Sequence, residues 1–196
     1  MSELVYSKLK NTFRKSSTKI VAISGIGIAL LFVVTAFVQM PMPGSGGGYV
    51  HLGDSVLFVV SFVFGPVVGS LTGGGGGFFA DLYLGYPMYA GFSLVIKAVQ
   101  GLIVGVLSKR YGKNIFGYVY TMMVAGIWMV VAYFLVEILL FNFEVALASI
   151  VGNVLQVVAG IVFAMFAFST VQRLHRANDL QAQNEKMLDD ISAGVD

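Results

Sequence analysis

Residues 52–107 read LGDSVLFVVSFVFGPVVGSLTGGGGGFFADLYLGYPMYAGFSLVIKAVQGLIVGVL. The stretch is apolar enough to lie in a bilayer, yet it carries Asp54, Asp81 and Lys97 and is cut by Gly65-Pro66, the glycines at 73–77 and Gly85-Tyr86-Pro87. A simple lipid anchor needs none of these. A charge at membrane depth costs roughly 2.5 kcal/mol or more unless it is paired or faces a cavity, so these residues imply a bundle with a purpose. Short hydrophobic segments interrupted by Gly and Pro are also how small-molecule membrane carriers shape a site.

The rest of the chain fits that reading. Hydrophobic residues make up 57% of it and charged residues 11%, and the mean hydropathy is +0.85, outside the range of soluble domains. With 196 residues there is room for about six helices of roughly 20 residues in one bundle. The expected fold is all-α: a polytopic membrane protein with six transmembrane helices and both termini cytosolic. Residues 1–172 are expected to form one transmembrane domain, opened by a basic cytosolic segment at 1–19. Residues 173–196 form a polar cytosolic tail whose mixed charges predict a solvated, partly helical extension.

The spans are expected near 20–38, 54–71 with a bend at Gly65-Pro66, 78–84 as a short or broken segment, 90–107, 116–140 and 145–171. Between the first two, residues 39–53 read QMPMPGSGGGYVHLG, too rich in Pro and Gly for a helix. The run Gly73 to Gly77 has no Lys-Ser/Thr after it, which excludes a phosphate loop. It is expected to be a flexible cytosolic turn and a close-approach surface for a partner. Gly25 and Ala29 have the small-xxx-small spacing that permits tight helix contact.

Orientation follows from the basic residues. Lys8, Lys10, Arg14, Lys15 and Lys19 precede the first span, Lys109, Arg110 and Lys113 lie between the fourth and fifth, and Arg173, Arg176 and Lys186 follow the sixth. Lys97 is inside a span, and no basic residue falls in a loop assigned to the outside. On this topology the polar residues gather toward the exterior. Ser93, Lys97 and Gln100 share one helix face, as do Tyr133 and Glu137, and as do Ser149, Asn153 and Gln156, because each set steps by three or four. Three such faces turned together make an outward-opening cavity. The Pro/Gly loop roofs it and supplies Tyr49, His51 and Asp54, with Tyr86 beside the third segment. A pocket of this kind suits a small polar molecule with aromatic character.

Plainer roles compete with this one. Asp81 and Lys97 are a candidate structural ion pair between the third and fourth helices. Glu137 fits the headgroup level, Asn153 and Gln156 fit bonds between helices, and Trp128 fits the interfacial belt. There is no cysteine, and the histidines are His51 and His175, which leaves no disulfide, thiolate site or metal cluster. An enzyme is disfavoured, since a hydrolase needs a nucleophile with a positioned base.

The order of short motifs carries a resemblance. Gly48-Tyr49-Val50-His51-Leu52-Gly53-Asp54, then Phe64-Gly65-Pro66-Val67-Val68-Gly69, Ala80-Asp81-Leu82 with Gly85-Tyr86, and Ile96-Lys97 with Gly101 resemble the substrate-binding S components of energy-coupling factor (ECF) vitamin transporters. The nearest subgroup is the hydroxymethylpyrimidine and pyridoxine type, related to riboflavin-type S components, and the match covers about residues 20–170. The resemblance implies a six-helix subunit of a bacterial plasma membrane that captures a vitamin or precursor from outside. It would dock on a membrane coupling (T) subunit driven by two cytosolic ATPases, which hold ATP and magnesium. No cofactor is expected in this chain, and no nucleic-acid partner. The coupling contact in that family uses an Ala-xxx-Ala pattern on the first helix, and the matching place here is Ala22, Gly25 and Ala29. Two other classes stay open: a stand-alone proton-coupled carrier using Asp81, Lys97 or Glu137, and a membrane assembly protein with no ligand.

Overall fold

The computed structural model describes residues 17–41, 49–112 and 114–193, with side chains described up to Thr170. The basic segment before Ser17, the centre of the first loop, Lys113 and the side chains of the polar tail lie outside the described residues. Among the described residues there are six helices and one two-stranded antiparallel sheet. Helix α1 is Ser17–Phe37, β1 Gln39–Pro41, β2 Tyr49–His51, α2 Gly53–Phe64, α3 Pro66–Tyr83, α4 Pro87–Tyr111, α5 Ile115–Leu140 and α6 Phe143–Ala193. The chain divides into a compact unit ending at Ala164 and a second unit, Met165–Asp196. Helical backbone continues to Ala193, beyond the expected end near residue 171.

Among the described residues four helices are long and apolar enough to cross a membrane: α1, α4, α5 and the Phe143–Thr170 part of α6. Their outward faces carry large apolar side chains such as Ile26, Val95, Ile127 and Val151, while the inward faces repeat at helical spacing. In α1 the inward set is Ser24, Gly27, Leu31 and Thr35. Helix α2 has 12 residues, a rise of about 18 Å, and by itself falls short of a hydrocarbon core of about 30 Å.

Two expectations are corrected here. The first loop is not wholly irregular: its ends pair as a hairpin, with Gln39 opposite His51 and Pro41 opposite Tyr49. The glycine run is not a turn. It lies in the middle of α3, and the break falls earlier, at Gly65, whose φ of +89° is a conformation that favours glycine. Pro66 then opens α3 at the helical position where a missing N–H costs nothing.

The glycines stay helical because of what they touch. A side chain at Gly73 would strike the carbonyl of Lys97, one at Gly74 would come within 2.8 Å of the carbonyl of Leu94, and one at Gly101 would strike the backbone of Gly69. Helix α3 therefore meets α4 backbone to backbone along much of its length. On its other side Gly75 and Gly76 admit the side chains of Ile28 and Leu31 from α1. Five helical glycines each cost about 1 kcal/mol against alanine, and close packing on both flanks offsets that cost. Dispersion contacts reward such approach in a bilayer, where hydrophobic burial does not.

The seam has a measurable consequence. Gly101→Val is expected to lower the melting temperature of detergent-purified protein sharply, with overpacking costing about 1–3 kcal/mol or more. Gly91→Ala, at a position where an added Cβ meets nothing within 4 Å, is expected to be neutral or slightly stabilising. Equal melting of the two variants would contradict the backbone contact.

Candidate functional site

A narrow cleft lies beneath the hairpin, with a cavity volume of about 50 Å³. Its walls come from α1 (Thr35), the hairpin (Tyr49, Val50, His51), α3 (Gly77, Asp81), α4 (Tyr89, Ser93, Lys97), α5 (Tyr133, Glu137) and α6 (Ser149, Gly152, Asn153, Gln156). The three faces predicted from helical spacing do converge. Tyr49, His51, Lys97, Tyr133, Glu137, Asn153 and Gln156 all line the cleft. Of the remaining expected residues, Asp54 lies against Gly160 and bonds Lys97 and Gln156. Tyr86 stacks on Tyr49 with ring centres 5.2 Å apart. Gln100 is fully buried away from the cleft lining, with both amide atoms unpartnered.

The charges pair differently from expectation. Lys97 Nζ donates to Asp54 Oδ1 at 2.5 Å, so the ion pair joins α4 to α2, and the candidate pair Asp81–Lys97 does not form. The reason is reach. Asp54 opens α2 just below the hairpin and lies fully buried beside Lys97, whereas Asp81 is taken by the hairpin itself: Tyr49 Oη donates to Asp81 Oδ1 at 2.6 Å. Burial and then the charge of Asp81 hold the Tyr49 phenol far above its ordinary pKa, so it remains a donor.

Asp54 is satisfied twice. Gln156 Nε2 on α6 donates to its other oxygen at 3.0 Å, and Gln156 Oε1 accepts the backbone N–H of His51 at 3.3 Å. One amide thus ties the ion pair to the hairpin. The His51 ring is buried and fixed in its neutral form, because Gly53 N–H donates into Nδ1 at 3.0 Å. Burial, followed by the charge of Lys97, pushes its pKa down to about 3 against the opposing pull of Asp54. On the far wall Ser149 donates to Glu137 by a short hydrogen bond, and Ser93 and Tyr133 share one at 2.8 Å.

Five lining residues escaped the sequence reading: Thr35, Val50, Gly77, Tyr89 and Gly152. Tyr89 precedes Ser93 and Lys97 by one and two turns, so its face was readable. Gly77 was assigned to a turn, but it gives room to the Lys97 stem, whose Cγ would be 3.2 Å from a Cβ there. Thr35 carried no signal beyond being a polar residue near the end of an apolar helix. Elsewhere, Ala22, Gly25 and Ala29 are exposed on α1. Gly25 and Ala29 line a shallow apolar groove with Ile28, Phe32, Phe79, Leu82 and Tyr83. Among the described residues no group of three His, Asp or Glu side chains is placed to hold a metal.

With this geometry in place, known sequences supply the relationship. The family described as ECF-type riboflavin transporter, S component, matches residues 15–173. This chain belongs to that family. It is therefore a multi-pass membrane transport component of the vitamin-uptake class, not an enzyme. An uncharacterized protein in a gap 3′ region of Pyrococcus woesei is 40% identical over 133 residues, covering 66% of this chain and 86% of the relative. The thiamine precursor transporter HmpT of Lactococcus lactis is 30% identical over 148 residues, covering 76% and 84%. A UPF0397 protein of Streptococcus thermophilus is 24% identical over 106 residues, about half of each chain.

The buried pair sets an asymmetric expectation. Lys97→Met alone strands the Asp54 charge and is expected to cost about 3–5 kcal/mol, whereas the double variant Lys97→Met/Asp54→Leu recovers most of that loss. Thermal melts of the purified S component in detergent measure it. Additive losses would show that the two side chains do not act as a pair.

Proposed function

We propose that this S component captures a vitamin or vitamin precursor from outside the cell, with hydroxymethylpyrimidine or a B6 vitamer such as pyridoxine favoured. It hands its cargo inward by docking on a T subunit coupled to two ATPases. The observation that carries this reading is the roofed cleft. Aromatic rings of Tyr49, Tyr89 and Tyr133, and the polar groups of Asp81, Asn153 and Glu137, line one space under a hairpin. Such a lining matches a heteroaromatic ring with hydroxymethyl and amino substituents, the rings giving stacking surface and the polar groups direction. Similarity to a thiamine precursor transporter supports the pyrimidine choice. The exposed Ala22, Gly25 and Ala29 and their groove are the proposed coupling contact, where small residues allow close approach.

In this reading the membrane is the bacterial plasma membrane, all six helices cross it despite the shortness of α2, and both termini are cytosolic. Hairpin and cleft then face outward. ATP and magnesium act on the partner ATPases.

Binding decides the reading. Radiolabelled hydroxymethylpyrimidine, pyridoxine, thiamine and riboflavin are offered to detergent-purified protein, and at least one is expected to bind with a Kd below about 1 μM, or roughly 8 kcal/mol. Failure of all four would remove the proposal. Uptake by the purified chain alone in liposomes, driven by a proton gradient, would favour a stand-alone carrier.

Orientation is tested separately. In intact cells a thiol introduced at Met40, exposed on β1, is expected to react with an impermeant reagent, and one at Tyr111, at the end of α4, is not. The opposite pattern would invert the scheme.

A further inference from the structure

The cleft is short of positive charge and of donors. Among the described residues two carboxyl groups line it, Asp81 and Glu137, and a third, Asp54, is paired behind them with the one lining ammonium, Lys97. Asp54 already takes that ammonium at 2.5 Å, and Ser149 serves Glu137. Asp81 is left with Tyr49 on Oδ1, while Oδ2 is buried with no hydrogen-bond partner. Ser93 also faces Asp81, and it shares a hydrogen bond with Tyr133 at 2.8 Å in which either hydroxyl can be the donor. Asp81 is only 4% exposed and lines the cleft. The same cleft contains an unmatched donor, Asn153 Nδ2, and an unmatched hydroxyl, that of Tyr89.

A buried acceptor left empty costs about 1–3 kcal/mol, and more when it is charged. A ligand that brings an N–H removes that cost, and one that brings an oxygen acceptor to the same place adds repulsion. From this we infer that Asp81 is the specificity-determining residue of the cleft, and that it selects nitrogen heteroaromatic rings bearing an exocyclic amine over isosteric rings bearing a carbonyl oxygen. The amine donates to Asp81 Oδ2, and the ring nitrogen or hydroxyl beside it takes the donors of Asn153 and Tyr89. This rests on the proposed vitamin-capture reading and narrows it from vitamins in general to amino-substituted rings. Asp81 thereby has two roles: one oxygen fastens the hairpin through Tyr49 and the other reads the ligand.

The test compares 4-amino-5-hydroxymethyl-2-methylpyrimidine with its 4-oxo analogue on the full-length protein by calorimetry. Wild type is expected to prefer the amine by at least about tenfold, a lower bound on the discrimination that a site built to hydrogen-bond a ligand N–H achieves. In Asp81→Asn the ratio is expected to fall to within about threefold, since the amide offers either a donor or an acceptor. Asp81→Ser, smaller and neutral, serves the same purpose should the amide variant not fold. Tyr49→Phe removes the hairpin bond alone, so it is expected to weaken both ligands and keep their ratio. A ratio unchanged in the Asp81 variants, or a wild-type preference for the oxo ring, overturns the role of Asp81 and leaves vitamin capture standing. Failure of wild type to bind either ring, together with the other vitamins, overturns both.

Discussion

The contact between Lys97 and Asp54 is the constraint on which the site depends. Two opposite charges are withdrawn from water where neither survives alone, and their partners come from different parts of the chain. Lys97 is one turn past Ser93 on α4, and Asp54 is the second residue of α2. Gln156 completes the set from α6 and passes the constraint to the hairpin through the His51 N–H. A buried ion pair adds little net stability compared with apolar packing. What it supplies here is position: α2, α4, α6 and the hairpin are referred to one point at the cleft floor.

The glycine-rich α3 serves the same end by opposite means. Where the ion pair uses long side chains, α3 gives up side chains altogether, so that α4 can approach and present Tyr89, Ser93 and Lys97 at a fixed depth. Tertiary contact here overrides local preference. Five glycines in a row read as a break on propensity alone, yet four of them are buried in the middle of a helix.

That contrast explains what the sequence made legible. Period-three and period-four spacing fixed the faces of α4, α5 and α6 without knowledge of the fold, and those faces do meet at the cleft. Spacing cannot say which carboxylate meets Lys97, because Asp54 and Asp81 are both at plausible depth and only the packing of α2 against α4 separates them. Nor can it show that Gln100, one turn from Lys97, turns away from the cleft lining, or that Thr35 reaches it. Chemistry marks the helix starts at Pro66, Pro87 and Asn114, whose side chain accepts from Gly117 N at 2.8 Å, yet the expected spans put Pro66 at a bend inside one helix and began the next spans at 78, 90 and 116. The hairpin was missed because the pairing of residues 39–41 with 49–51 joins two short arms that carry no alternating pattern of their own.

The bond between the hairpin and α6 runs from a main-chain N–H at position 51 to a side chain at position 156. That fastening does not consult the identity of residue 51. Changing the imidazole that overlooks the cleft therefore leaves this tie of roof to α6 in place, while it takes away the acceptor of Gly53 N–H.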